Sequence, residues 1–241
     1  MTRSDFLRCL AATGLGAALA TPALAIRPAD QPLRILPIGD SITQGGRLPK
    51  EYTYRWQLAR LLSDEGIAHD FIGTRHLGLD PAFRWPRPWN DAHEGYYGAT
   101  TRAVVDQVTQ HLGALPPPDI ALVYLGTNDS VDFGNTIITP LIELVGSLRV
   151  RNPDVAVLIG RVPKAVMAGA VALELRVDQL ARLSTPESPV VIVPIDEGWV
   201  ADPRAFDSDT LDGAHPNLRG QRKMAEDWLL AIRQLPAVRP P

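Results

Sequence analysis

The sequence predicts one α/β domain: a five-stranded parallel sheet between layers of helices, a flavodoxin-like three-layer sandwich. Three observations carry this. From Leu33 onward, short continuous apolar runs rich in β-branched residues recur, as expected of strands buried on both faces. Amphipathic stretches of helical length lie between them. Turn-forming residues separate the two kinds of segment: Gly66, the run Pro116-Pro117-Pro118, and Asn152-Pro153.

Taken in order, the expected strands are Leu33–Ile38, His69–Gly73, Ile120–Leu125, Val155–Gly160 and Val190–Ile195. The expected helices are Tyr54–Glu65, Thr101–Leu112, Thr136–Arg151, Ala165–Leu183 and Leu218–Leu235. Right-handed crossovers place the carboxyl ends of the strands, and the loops after them, on one edge, where ligands of open sheets bind. The connection from Thr74 to Tyr97 has no clear period, and loops of that length in compact domains tend to be functional.

Residues 1–25 read as a signal peptide. Arg3 and Arg8 flank the start of a short apolar run, and Ala23-Leu24-Ala25 offers a small-residue cleavage site. The run is too short for a bilayer core of about 30 Å at about 1.5 Å per residue. The segment from Thr2 to Leu7 resembles a twin-arginine export signal, with Ser4 in place of the second arginine. The expectation is a single domain over 26–241, secreted or periplasmic after cleavage, with no membrane span. Cys9, the only cysteine, lies inside the leader, so the domain itself has no disulfide and no thiol nucleophile.

A net charge of -3 and scattered arginines give no phosphate-tracking surface, so nucleic acid is not an expected partner. No zinc-ligand spacing and no nucleotide-binding glycine loop occur, so neither metal nor cofactor is expected.

Three motifs fall at strand ends or in the last loop: Gly39-Asp40-Ser41-Ile42, Gly126-Thr127-Asn128-Asp129, and Asp212-Gly213-Ala214-His215-Pro216-Asn217. A serine hydroxyl is a weak nucleophile until a base takes its proton, and histidine is the usual base near neutral pH. That histidine needs an acceptor on its other nitrogen, which an aspartate three residues earlier can supply. An oxyanion needs preorganised donors; the Ser41 N–H, a glycine N–H and the Asn128 amide are the candidates. The nucleophile elbow of α/β-hydrolases is absent, because Ile42-Thr43 follow Ser41.

These blocks together resemble the SGNH (GDSL-type) hydrolase family over essentially the whole mature chain. The resemblance implies catalysis by Ser41, Asp212 and His215, with an oxyanion hole formed by Ser41, Gly98 and Asn128. More narrowly, Tyr54-Arg55-Trp56-Gln57-Leu58 and His93-Glu94-Gly95-Tyr96-Tyr97-Gly98 are similar to secreted carbohydrate esterases of the acetyl xylan esterase type. Relatives of that type usually carry Ser-Gly-Trp where this chain has Tyr97-Gly98-Ala99. Between Phe83 and Tyr97 lie five of the chain's 15 aromatic residues. Trp85, Trp89, Tyr96 and Tyr97 are therefore the expected substrate-binding rings for a small-molecule or oligosaccharide ester. Other readings are a lipolytic or thioester hydrolase, a non-catalytic carbohydrate-binding protein, or rings that only pin the loop. His69, His76, His93 and His111 read as structural or solvent-facing, and Arg55 and Glu94 as loop braces.

Overall fold

The computed structural model describes residues 31–48, 50–129, 134–163 and 177–235. The proposed leader, and most of the helix expected over Ala165–Leu183, lie outside the described residues. The strands are β1 (Leu33–Gly39), β2 (His69–Phe71), β3 (Glu94–Gly95), β4 (Ile120–Tyr124), β5 (Ala156–Gly160) and β6 (Val190–Val193). All pair in parallel, in the order β2-β1-β4-β5-β6, with β3 also on β1. The central β4 and β5 are buried along their whole length, the reason their sequences are continuous apolar runs.

The helices are α1 (Ser41–Gln44), α2 (Thr53–Asp64), α3 (Thr101–His111), α4 (Thr139–Arg151) and α5 (Leu218–Arg233). Helix α2 packs against α5, and α3 against α4. Right-handed crossovers put the first pair on one face of the sheet and the second on the other. Val104, Val105 and Val108 of α3, and Met224, Trp228 and Ile232 of α5, turn the apolar stripe of each helix to the core. The structure shortens β2 and β6 relative to the sequence reading. A π turn over Gly134–Ile138 precedes α4, and the described end of the fourth expected helix, Asp178–Leu183, is 3-10.

Strand β3 was not expected from the sequence, and Pro37 gives its physical reason. On β1 the odd-numbered residues face β2: Leu33 N donates to Ala68 O, and Ile72 N donates to Ile35 O. The even-numbered Arg34 faces β4, accepting from Asp119 N. Pro37 therefore turns its hydrogen-free nitrogen toward the β2 side, where it cannot donate. Pairing with β2 stops at Ile35, and pairing with β3 begins at Ile38. The proline sits at the seam between two short partners. The chain leaving that seam, Tyr96–Gly98, is brought to the carboxyl end of β1, with Tyr96 N donating to Gly39 O at 2.9 Å.

Candidate active site

Ser41 is the first residue of α1, directly after β1, and is almost wholly buried. The Asp40 carboxylate caps this helix by accepting from Ile42 N at 3.0 Å. Because Ser41 opens a helix, its own N–H has no intrahelical acceptor. Gly39 lets the strand end approach the helix: a Cβ there would stand 2.1 Å from Thr43 Oγ1 and 2.7 Å from Tyr124 O. Gly95 on β3 does the same from the other side, with Gln44 N 2.7 Å from its would-be Cβ.

His215 precedes α5, whose N-cap Asn217 accepts from the N–H groups of Arg219 and Gly220. Its Nε2 lies 3.0 Å from Ser41 Oγ, and its Nδ1 lies 2.8 Å from Asp212 Oδ2. The other Asp212 oxygen accepts from the backbone N–H groups of Ala214 and His215, at 3.1 and 2.9 Å. A single tight turn thus fixes both carboxylate oxygens. Partial burial alone would raise the Asp212 carboxyl, but the hydrogen bonds from His215 and Ala214 outweigh it and hold it below the ordinary value. Asp212 stays ionised and accepts from His215 Nδ1, leaving Nε2 facing Ser41 Oγ.

The three oxyanion candidates are brought to the same edge. Gly98 is exposed at φ +74°, and nothing lies within 4 Å of where a Cβ would sit, so its glycine answers to backbone conformation and leaves room for a ligand. The Asn128 amide donates to Ala99 O at 3.0 Å and stands 3.4 Å from Asp40 Oδ2, between the Gly98 turn and the serine loop. Asp129 accepts from Thr101 N and Oγ1 at 3.0 and 2.8 Å, which ties the Asn128 loop to the start of α3. Asp40 itself is fully buried; burial, only partly offset by the Ile42 N–H, pushes its carboxyl up to about 6.

The four aromatic rings expected to bind substrate separate into two groups. Tyr97 belongs to the site. Its ring lies nearly parallel to that of His215, with centroids 5.5 Å apart, and its hydroxyl is 3.2 Å from Nε2. Its N–H donates to the Gln44 side chain at 2.9 Å, and its hydroxyl is 3.5 Å from Glu51 Oε1. Burial, then the Glu51 charge, push the phenol up to about 12, so it remains a proton donor. Tyr96 instead gives its hydroxyl to Glu94 at 2.5 Å, with Arg75 over its ring.

Trp85 and Trp89 pack around the Arg55 guanidinium at 5.6 and 5.5 Å, and against Trp56, Phe71 and Phe83. Trp85 also donates to Asp91 Oδ2 at 2.6 Å. Among the described residues their ring contacts run to this cluster and, from Trp85, to Tyr52 at 6.2 Å, and none runs to Ser41, Gly98, Asn128 or His215.

Arg55 is a residue whose reach the sequence understated. Fully buried, it donates to Thr43 O at 2.7 Å, Gln44 O at 3.2 Å and Asp91 O at 2.5 Å. It therefore clamps the end of α1 to the loop between β2 and β3. Burial lowers its guanidinium to about 10, which leaves it charged at neutral pH. His93, also buried, has a fixed tautomer: Nδ1 accepts from Gly95 N at 2.8 Å while Nε2 donates to Leu77 O at 3.1 Å. Glu51 and Gln44, which hold Tyr97, carried no motif that would have singled them out.

The fold and this constellation define a class: a parallel α/β domain with a serine–histidine–aspartate array at the carboxyl edge of its sheet. The model of the GDSL-like Lipase/Acylhydrolase family matches residues 38–223, so the chain belongs to that family and is a serine esterase of the SGNH type. Among solved structures it is similar to a carbohydrate esterase family 3 protein from Talaromyces cellulolyticus (25% identity, TM-score 0.68, covering 84% of this chain and 97% of that one). An acetyl esterase mutant with acetate ion gives the same four values. A family 3 carbohydrate esterase from Clostridium thermocellum aligns at 27% identity and TM-score 0.62, covering 83% of this chain and 94% of that one. No curated protein matches the chain.

Proposed function

We propose that the protein is a secreted or periplasmic esterase that removes acetyl groups from an O-acetylated carbohydrate through an acyl-enzyme. The observation that carries the catalytic part is the chain of contacts from Ser41 Oγ to His215 Nε2 and from His215 Nδ1 to Asp212. The carbohydrate part is supported by the similarity, at 25–27% identity, to two family 3 carbohydrate esterases. Export is supported by the leader-like residues 1–25.

In this reading His215 Nε2 takes the Ser41 proton as Oγ attacks the ester carbonyl. The oxyanion is met by the N–H groups of Ser41 and Gly98 and by the Asn128 amide. Collapse breaks the ester C–O bond, and the imidazolium returns its proton to the departing sugar oxygen. Water, deprotonated by the same nitrogen, then attacks the acetyl-Ser41 carbonyl; acetate leaves and the proton goes back to Oγ. Asp212 stays ionised throughout and stabilises the imidazolium. Tyr97, protonated and beside Nε2, stands where the leaving alcohol departs and can hydrogen-bond its oxygen.

The test compares acetyl with octanoyl esters and adds acetylated xylo-oligosaccharides, using the wild type and Ser41→Ala. Acetyl preference, release of acetate from the oligosaccharide, and near-complete loss in the folded variant are expected. A strong preference for octanoyl esters would overturn the acetyl-carbohydrate reading. Normal turnover by Ser41→Ala would overturn the catalytic one. Mass spectrometry of exported protein is expected to find a chain starting near Ile26; material beginning at Met1 would refute the leader.

A further inference from the structure

Beside Tyr97, over whose ring Arg47 stands at 5.9 Å, the surface opens into a cleft of about 410 Å³. Its volume lies within the roughly 300–1,000 Å³ of sites that take small ligands. Tyr52 and Phe83 supply aromatic wall, with ring centroids 5.7 Å apart. Arg47, Lys50 and Arg84 line it as exposed cations, against a single lining carboxylate, Asp80, among the described residues.

These cations are not engaged by carboxylates. Arg84 donates only to the neutral carbonyls of Pro81 and Phe83, at 2.6 and 2.7 Å. Arg47 lies over the Tyr97 ring at 5.9 Å. Asp80 turns one oxygen inward to accept from Ala82 N at 2.8 Å. Among the described residues no ion pair joins Arg47, Lys50 or Arg84 to any acid. A net positive, aromatic-walled cleft whose guanidiniums are paired with no carboxylate is arranged for an anion carried on an apolar-faced ring. Its Arg47 corner belongs to both regions, since the ring beneath Arg47 is the one whose hydroxyl lies 3.2 Å from His215 Nε2.

We infer that this cleft is a subsite for a carboxylate-bearing sugar adjoining the acetylated one, so that the preferred substrate is an acetylated acidic oligosaccharide. The inference rests on the carbohydrate-ester reading above and names its substrate class. Guanidiniums recognise carboxylates through paired N–H donors, and aromatic faces pack against sugar C–H surfaces. Exposed charge pairs are individually weak, so three together correspond to a preference of about tenfold rather than an absolute requirement.

The experiment measures kcat/KM on two acetylated xylo-oligosaccharides that differ only in a glucuronic acid substituent, with an acetate ester of p-nitrophenol as a third substrate. Each is run at low ionic strength and at about 1 M salt, where the screening length falls to about 3 Å. The expected result is an acidic-to-neutral ratio of about ten that collapses toward one at high salt. In the double variant Arg84→Gln, Lys50→Gln, which keeps Arg47, the ratio is expected to fall to about two at low salt, with the unfolding midpoint reporting an intact fold. Equal kcat/KM on both oligosaccharides overturns the subsite and leaves the carbohydrate reading standing. Turnover of the p-nitrophenyl ester alone overturns the carbohydrate reading, and the subsite with it. A ratio insensitive to both salt and the double variant also overturns the subsite, because another part of the surface would then set the preference.

Discussion

Replacing Asp40 by asparagine separates the electrostatic cost of the serine loop from its geometry. Asp40 is fully buried, and burial moves its carboxyl from the ordinary 3.8 to about 6. At about 1.4 kcal/mol per pH unit, that rise corresponds to about 3 kcal/mol. The sign follows from proton binding. Between 3.8 and 6 the folded protein holds a proton at Asp40 that the unfolded chain has released, so stability falls as pH increases through this window. The contribution is complete below about pH 4 and lost above about pH 6. Asparagine keeps an oxygen to accept from Ile42 N, but turns a donor toward the Asn128 amide now 3.4 Å from Asp40 Oδ2. That lost acceptor costs about 1 kcal/mol. Asp40→Asn is therefore expected to be about 1 kcal/mol less stable than the wild type near pH 4 and about 2 kcal/mol more stable near pH 8. Chemical denaturation of both proteins across that range measures the difference, in which the titration of groups not coupled to Asp40 cancels. A difference that stays constant within about 0.5 kcal/mol from pH 4 to pH 8 would refute the buried-carboxylate argument.

Three further outcomes are expected. Asn128→Ala should lower kcat by about 10²–10³ as an oxyanion donor is lost, and should cost about 1 kcal/mol of stability as its hydrogen bonds to Ala99 O and Asp40 go; kinetics on a small acetate ester, with a thermal melt, check both. Trp85→Ala should cost about 2–3 kcal/mol, at the low end for a large aromatic because the ring is half-buried, and should lower activity on sugar and non-sugar esters alike. Denaturation curves and a two-substrate comparison decide this; a loss confined to sugar esters would restore Trp85 as a binding ring. Gly95→Ala puts a methyl 2.7 Å from Gln44 N, so the nucleophile helix must move. Shifts near 1 Å can cost about 10²-fold in rate, so kcat should fall by that order, with KM much less affected.

How far the sequence could be read depended on what each signal is made of. Continuous apolar runs need no partner to be recognised, which is why β1, β4, β5 and β6 were legible. Strand β3 is Glu94-Gly95, two residues with no apolar alternation; it exists because Pro37 ends the β2 ladder and leaves Ile38 and Gly39 to pair. The effect is non-local, and no window of the sequence around Glu94 contains it. Ser41, Asp212 and His215 could be singled out because the proposed nucleophile, acid and base impose residue types and a tight spacing, and the structure brings the three within hydrogen-bond reach. The aromatic strip was ambiguous for the opposite reason: a ring that binds a sugar and a ring that shields a buried cation have the same composition. What separates Tyr97 from Trp85 and Trp89 is the position of Arg55, thirty or more residues earlier in the chain.

Arg55 also explains why so much of the connection between β2 and β3 is ordered around a four-residue helix. A helix of that length has no stability of its own, since nucleation is unfavourable and one turn gains almost no internal hydrogen bonds. Ser41 must nevertheless be held within a few tenths of an ångström of His215 for proton transfer. The chain supplies the constraint from outside the helix. Asp40 caps its start, Gly39 and Gly95 let two strands press against it, and Arg55, a rigid planar donor, gives hydrogen bonds to its final carbonyls. Burying that cation requires compensation: Asp91 O as a third acceptor, and the faces of Trp85 and Trp89 at 5.6 and 5.5 Å. Asp91 in turn is fixed by His76, the Leu77 N–H and the Trp85 indole. The tryptophans thus hold the backbone of the four-residue helix through Arg55, whereas Tyr97, beyond β3, sets its hydroxyl 3.2 Å from His215 Nε2.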